Sequence, residues 1–191
     1  MAFSTLTKGL FVTSLALALL TVPVDGSCSW KEIDSILRQA YGPEVARECE
    51  SYYGSLDIPE EQVAPIRDAV RILVEAGYPV GCPREYLEFA SELARADIAL
   101  KDLSNKIREG VAKKVSAERL NTVLQQRTKA LQEARVIVLG LADRGVVFLD
   151  RQMAYSVIAD YLLRGIMTND LEGALLEGDL ARYPALENVI R

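Results

Sequence analysis

The 191-residue sequence contains no histidine. Histidine is the usual general base near neutral pH and the most common protein ligand of transition metals. Its absence excludes the Ser-His and Cys-His nucleophile systems, and it leaves carboxylates, lysine or tyrosine for acid–base catalysis. We therefore predict that the protein is not an enzyme and has no catalytic residues, with a histidine-free enzyme using carboxylates or tyrosine as an alternative.

Motifs for nucleotide, metal and redox chemistry are also missing from the sequence. It has no glycine-rich phosphate loop, no Cys-x-x-Cys pair and no aspartate-rich calcium loop. The formal net charge is −5, and no basic stripe runs along any segment. We predict no cofactor-binding residues, no metal site and no nucleic-acid partner.

Residues 1–26 have the layout of a secretory signal peptide. Lys8 supplies the positive charge, and an apolar run rich in leucine and alanine follows over residues 9–22. Val24 and Gly26 are small enough to stand before a cleavage site at Ser27. The apolar run is shorter than the roughly 20 residues that a membrane-spanning helix needs. This pattern predicts a periplasmic or secreted protein, with an uncleaved anchor or a buried helix as the alternatives.

Cysteine is scarce, and its three positions are Cys28, Cys49 and Cys82. An exported protein meets an oxidising compartment, so we expect one disulfide, either Cys49–Cys82 or Cys28–Cys49. Cys28 is also a candidate for bacterial lipidation, because Gly26 and Ser27 suit the residues before a lipidated cysteine. In that case Cys49 and Cys82 would form the disulfide. The spacing leaves both pairings open, since the separation of the Cα atoms decides which disulfide can form.

The most regular feature is a pair of apolar stripes over about residues 83–114 and 117–143. Apolar or small residues alternate at spacings of three and four, which is typical of one helix face packed against another. The first stripe is Tyr86, Phe89, Leu93, Ala96, Leu100, Leu103, Ile107 and Gly110. The second is Leu120, Leu124, Arg127, Leu131, Ala134, Val138 and Leu141. The stripes predict two long helices, each buried along one face, and part of a stripe could instead form a docking face or a dimer seam.

A short connection joins the two predicted helices. Ser116 is the candidate N-cap of the second helix, where its hydroxyl can accept a hydrogen bond from a backbone N–H of the first turn. A connection this short makes the two helices antiparallel. Asp97 could start a new helix within the first stripe, but the stripe crosses Ala96 without changing phase. We therefore predict one continuous helix and a long antiparallel hairpin.

The rest of the chain also reads as helical, so we predict an all-α fold, an irregular multi-helix bundle built on the long hairpin. Residues 27–191 form the predicted single domain, with short helices over 27–80, the hairpin over 83–144 and further helices over 150–191. Residues 146–149 are apolar and strand-like but have no partner strand, so we interpret them as a buried connection. Asp150 caps the helix that follows, and residues 185–190 form an apolar tail that docks back on the domain.

Arg127 is the one charged residue on either stripe. An arginine there must extend its side chain to the surface or pair with a carboxylate. Nothing else in the sequence points to a specific site. The predicted function is therefore an exported, non-catalytic helical interaction or envelope-associated protein, whose partner is a protein, including a second copy bound through a heptad face. Contact with a membrane is expected only through the signal segment or a lipidated Cys28. A carrier of an apolar small molecule held between helices is the alternative.

Three observations separate these functions. An interaction protein should expose more apolar side chains than an ordinary monomer does. A carrier should contain an enclosed apolar cavity. An enzyme should bring together carboxylates with strongly shifted pKa values in a cleft.

Overall fold

The computed structural model describes residues 27–56 and 58–190, with side chains from Trp30 onward. The predicted signal peptide, residues 1–26, lies outside this range and stays a prediction. The described residues form eight α-helices and one 3-10 turn, with no strand among them, which confirms the all-α class. The helices are α1 Ser27–Tyr41, α2 Pro43–Tyr53, α3 Glu60–Glu75, α4 Gly81–Arg95, α5 Lys101–Ala112, α6 Ala117–Asp143, α7 Arg151–Leu163 and α8 Thr168–Glu177, and the 3-10 turn is Leu186–Asn188.

The longest helix, α6, is the element against which most of the chain packs. It contacts α4, α5, α7 and α8, while α1 packs on α2 and α3, and α3 packs on α4 and α5. One cluster of buried apolar side chains extends from Ile33 in α1 to Val189 near the C-terminus. Each helix therefore buries one face in a core that is shared along the whole described chain.

Both predicted stripes lie in this core. Every residue of the second stripe is buried, and in the first only Phe89 and Ala96 are partly exposed. The prediction that the stripes pack inside the chain is therefore confirmed. Because these faces are already covered, a dimer of this protein would have to use other residues.

The long first helix was predicted wrongly, because the chain reverses in its middle. Asp97 adopts a left-handed backbone conformation with φ of +54°, and α4 and α5 fold back on each other there. The reversal brings the Tyr86 hydroxyl to 2.7 Å from the Ser104 hydroxyl in the buried interior. Gln152 of α7 holds the turn from outside: its amide donates to the Asp97 carbonyl at 2.7 Å and accepts from the Ala99 N–H at 2.8 Å.

The reversal also changes how these helices lie along α6. Cys82 at the start of α4 contacts Ala117 at the start of α6, and Glu92 accepts a hydrogen bond from Gln132 further along. Helix α4 is therefore parallel to α6. Of the two helices, α5 is the one that runs antiparallel to α6, since Gly110 near its end contacts Leu120 near the start of α6.

The turn at Asp97 is one of five similar helix ends. After each left-handed residue, the next N–H bonds to the carbonyl five positions back, and the residue that donates it is apolar each time. Glycine holds the left-handed position in three of them and a larger residue in two. The five left-handed residues are Gly77, Asp97, Lys114, Gly145 and Gly165, and the donors are Tyr78, Ile98, Val115, Val146 and Ile166.

Two predicted N-caps are confirmed. The Ser116 hydroxyl accepts from the Arg119 N–H at 3.4 Å at the start of α6. The Asp150 carboxylate accepts from the Met153 N–H at 3.0 Å at the start of α7. Each cap satisfies one of the backbone donors that a helix start leaves unpaired.

The connection at residues 146–149 was predicted to be buried, and this is wrong: Val146 and Phe148 are partly buried, and the other two residues are exposed. The side chains of Val147 and Leu149 are 55% and 62% exposed. Phe148 forms an isolated antiparallel bridge with Ile190, and the Leu149 N–H donates to the Val189 carbonyl at 2.9 Å. The extended segment thus has a partner after all, the C-terminal tail, which docks back as predicted with Val189 fully buried.

Candidate functional site

Among the side chains that the structure describes, the one charged group buried in the core belongs to Arg127 of α6, which is 2% exposed. Its Nε donates to Asp102 Oδ2 of α5 at 2.9 Å, and its Nη2 donates to the same oxygen at closer range. Its Nη1 donates to Asp160 Oδ1 of α7 at 2.6 Å. Of the two predicted arrangements, pairing with a carboxylate is therefore confirmed.

Ser156 of α7 completes this polar cluster. Its hydroxyl donates to Asp102 Oδ2 at 2.9 Å. The Arg127 Nη2 lies 3.1 Å from the Ser156 hydroxyl and 3.3 Å from its carbonyl oxygen. We refer to Arg127, Asp102, Ser156 and Asp160 as the arginine cluster. Neither aspartate was singled out from the sequence as a partner of Arg127, because each lies on a different helix.

The arginine cluster connects three helices rather than presenting a reactive group. Every nitrogen of the Arg127 guanidinium already donates to an oxygen of the protein, so the group has little left to offer an anionic ligand. A cavity of about 220 Å³ adjoins the cluster and is lined by Asp102, Ser156, Asn105 and Gln152 among others. The geometry therefore supports a structural role in holding α5 and α7 against α6.

The predicted Cys49–Cys82 disulfide is not present. Both cysteines are buried free thiols, and the Cys82 thiol is directed toward the Ala117 carbonyl, 3.9 Å away. Burial raises the pKa of each thiol to about 11. A protonated, covered thiol is a poor nucleophile and a poor metal ligand. The side chain of Cys28 lies outside the described residues, so the Cys28–Cys49 disulfide and lipidation at Cys28 stay predictions.

We expect Cys49 and Cys82 in the native protein to react with Ellman's reagent at least roughly 100-fold more slowly than in urea, since each must first be exposed by local opening. The rate should be measured at neutral pH without reductant. The same protein in urea provides the control and should yield both thiols. Failure to release them in urea, with a mass two hydrogens lighter, would show that they are disulfide-bonded.

Exposed large apolar side chains are distributed unevenly along the described chain. All eight of them follow residue 122, on α6 to α8 and the connections between these helices. They are Val123, Val136, Val147, Leu149, Met153, Leu163, Met167 and Leu176. We call this set the C-terminal apolar surface.

Two parts of this surface can be placed from neighbouring contacts. The Thr168 hydroxyl donates to Glu133 at 2.7 Å, so Met167 lies beside the turn of α6 that carries Val136. These two residues are the most exposed of the set, at 71% and 68%. Val147, Leu149 and Met153 form the second part, around the connection into α7.

The main cavities do not resemble an enclosed apolar binding chamber. Five of them have volumes from about 220 to about 540 Å³, and each includes at least one charged residue in its lining. The largest lies between the end of α3 and the start of α6, where Tyr78 and Lys114 line it. A carrier of an apolar molecule therefore gains no support from these cavities.

Within residues 27–56 and 58–190, no group of three or more His, Cys, Asp or Glu side chains is close enough to hold a metal ion. No helix of this range is long and apolar enough to cross a membrane. Comparisons with protein-family models, curated proteins and solved structures found no similar protein.

Proposed function

We propose that the protein is a non-catalytic helical interaction protein that binds a protein partner through its C-terminal apolar surface. The observation that carries this proposal is the position of all eight exposed large apolar side chains after residue 122. Isolated exposed apolar residues are normal on any protein. All of them lie on α6 to α8 and their connections, and the two most exposed, Val136 and Met167, lie on adjoining turns, which favours a binding surface.

The energy of apolar burial sets how much of this surface a partner must cover. Full burial of a valine, leucine or methionine side chain is worth roughly 1.5–3 kcal/mol. Val136 and Met167 alone would not offset the cost of association, which is about 4–15 kcal/mol, so a stable complex must also cover other residues of the C-terminal apolar surface. An amphipathic helix of the partner would supply a continuous apolar face to cover these residues.

Export is part of this proposal. Residues 1–26 would direct the chain out of the cytoplasm, and either cleavage before Ser27 or lipidation at Cys28 would leave the helical domain in the envelope or outside the cell. The intact mass of the recovered chain distinguishes these outcomes, since it begins at Ser27 in the first case and at an acylated Cys28 in the second.

The binding surface can be tested with a photo-reactive amino acid at Met167, expressed in the native cell. We expect a cross-linked adduct of discrete mass, and we expect Val136→Asp to abolish it. The same probe at Arg71, an exposed position of α3, is the control and should give no such adduct. An adduct with a second copy would make the partner another molecule of this chain.

The proposal fails if Met167 and Arg71 give the same adducts, or if Val136→Asp leaves the Met167 adduct unchanged. Circular dichroism should confirm that the variant is folded, which is expected because Val136 is largely exposed. A variant that loses the adduct while keeping its thermal stability has lost binding rather than structure.

A further inference from the structure

The largest of the five cavities, about 540 Å³, lies where α3 and α5 end and α6 begins. Small-molecule sites span about 300–1,000 Å³, so this volume is sufficient for a small ligand. Lys114 is the one charged residue in its lining, and no carboxylate of the described chain borders it. The cavity therefore combines a single positive charge with an apolar wall. Apart from Gly77, the wall is made of Ala76, Tyr78, Pro79, Val111, Val115 and Ala117.

Tyr78 is the aromatic part of this wall, and hydrogen bonds fix it in place. Its hydroxyl donates to the Val115 carbonyl at 2.5 Å, which joins the end of α3 to the end of α5. Its carbonyl accepts from the Tyr41 hydroxyl of α1 at 2.8 Å. Because the residue is fixed at both of these groups, a ligand would find the ring already positioned and would not have to order it.

Lys114 differs from the neighbouring lysines because it has no ionic partner. Lys106 and Lys113 both pair with Glu109, at 3.2 Å and 2.6 Å. Lys114 forms no ion pair within the described chain, and its side chain is exposed. Its ammonium group is therefore available to an anion. The start of α6, where Ala117 lines the cavity, carries a positive partial charge that adds to this attraction.

Lys114 also has a strained backbone conformation. Its φ of +54° lies in the left-handed region, which costs free energy for a residue that carries a β-carbon. Glycine holds this position at three of the five similar helix ends, and Asp97 holds it at a fourth, where aspartate tolerates it better than most residues do. A cation can interact with the last carbonyls of a helix, but Lys113 already supplies one at the end of α5. The strain is better explained by the cavity that Lys114 lines, since strained residues cluster at binding sites.

We propose that this cavity binds a small organic acid, whose carboxylate pairs with Lys114 and whose apolar body packs against Tyr78 and Val111. Lys114 would repel a cation. A neutral apolar molecule would cover the ammonium group without pairing it, which costs free energy. An acid without an apolar body would leave the wall exposed to water. The site contains none of the eight residues of the C-terminal apolar surface, so it is independent of the proposed protein partner.

Isothermal titration calorimetry of the full chain tests the proposal with three probes. Octanoate has a carboxylate and an apolar chain, octylammonium has the same chain on a cation, and acetate has the carboxylate without the chain. We expect one octanoate to bind per chain, with a dissociation constant below about 1 mM. Octylammonium and acetate should each bind at least about tenfold more weakly than octanoate.

Lys114→Gly removes the charge and relieves the backbone strain in one substitution. We expect it to bind octanoate at least about tenfold more weakly, while its midpoint of urea unfolding rises. Lys114→Arg keeps the positive charge and should bind octanoate much as the unmodified chain does. Asp97→Gly is the matched control, because it also places glycine at a left-handed helix end. It should raise the midpoint of unfolding as well, but it should leave octanoate binding unchanged.

Any of three results would overturn the proposal. The first is the absence of saturable octanoate binding. The second is binding of octylammonium as tight as that of octanoate, which would mean that only the apolar chain is recognised. The third is an octanoate affinity that is unchanged in Lys114→Gly or equally weakened in Asp97→Gly, since the charge at position 114 would then not be what binds the acid. None of these results bears on cross-linking at Met167.

Discussion

Replacing Arg127 with methionine should lower the free energy of unfolding by about 3 kcal/mol. Breaking a buried ion pair by removing one partner typically costs about 3–5 kcal/mol, because the other charge is left uncompensated. The lower value is expected here because the Asp102 side chain is 22% exposed and keeps some contact with water. Methionine has a similar length, so loss of packing should contribute little. Urea unfolding followed by circular dichroism measures the change.

Two further variants test whether the loss of stability is specific to Arg127. Asp160 is 54% exposed, and an exposed ion pair is worth about 0–1 kcal/mol, so Asp160→Asn should cost less than 1 kcal/mol. Lys129→Met changes an exposed cation on the same helix and should have almost no effect. If Arg127→Met cost no more than Lys129→Met, the arginine cluster would not stabilise the fold.

A double variant tests why Arg127→Met lowers the free energy of unfolding. Arg127→Met combined with Asp102→Asn leaves no unpaired charge between α5 and α6. It should therefore be more stable than Arg127→Met alone, although two polar groups have been removed. A double variant less stable than the single one would mean that hydrogen-bond loss, rather than the uncompensated carboxylate, dominates.

The fold class and the core faces could be predicted because they depend on local spacing. A stripe with a period near 3.6 residues specifies which face of a helix is buried, whatever that face packs against. The caps at Ser116 and Asp150 are local as well, since the acceptor and the donor are only three residues apart. These features required no knowledge of the tertiary structure.

The reversal at Asp97 could not be predicted from local spacing. The stripe positions Leu93, Ala96 and Leu100 keep the helical spacing through the turn, so their periodicity is the same for one helix and for two. The side chain that bonds across the turn belongs to Gln152, which lies in a different helix and more than fifty residues later in the chain. Glycine marks three of the five similar helix ends in the sequence, whereas aspartate holds the left-handed position here and gives no comparable signal.

The residues of the candidate site show the same difference between local spacing and tertiary packing. Arg127 was identifiable as a charge on an apolar stripe, whereas Asp102, Ser156 and Asp160 depend on how α5 and α7 cross α6. The positions of the cysteines in the sequence could not decide which disulfide forms either. That depends on the distances between their Cα atoms, which only the tertiary structure gives.

The close approach of α5 and α6 at Gly110 gives the second prediction of large effect. A β-carbon added at Gly110 would lie 2.6 Å from Cδ1 of Leu120, well inside normal contact distance. Leu120 is 2% exposed, so its side chain has little room to move aside. Overpacking of this kind costs typically 1–3 kcal/mol. We expect Gly110→Ala to lower the free energy of unfolding by about 2 kcal/mol, measured by urea unfolding, even though alanine favours a helix.

Gly140 provides the matched control, because it also lies inside a helix but a β-carbon there meets no atom within 4 Å. Without a steric clash, Gly140→Ala should raise the free energy of unfolding by up to about 1 kcal/mol through helix propensity alone. The two glycines therefore respond with opposite signs. Equal stabilisation by both alanines would show that α5 and α6 do not approach closely at Gly110.

Leu120→Ala distinguishes the steric clash from other effects of Gly110→Ala. Alone, it should destabilise the core by about 2–5 kcal/mol, since it leaves a cavity. In the double variant, the new methyl group at position 110 occupies part of the space that Leu120 has vacated. The loss should therefore be smaller than the sum of the two single losses, by at least about 1 kcal/mol. Additive losses would mean that the cost at Gly110 arises from its backbone rather than from contact with Leu120.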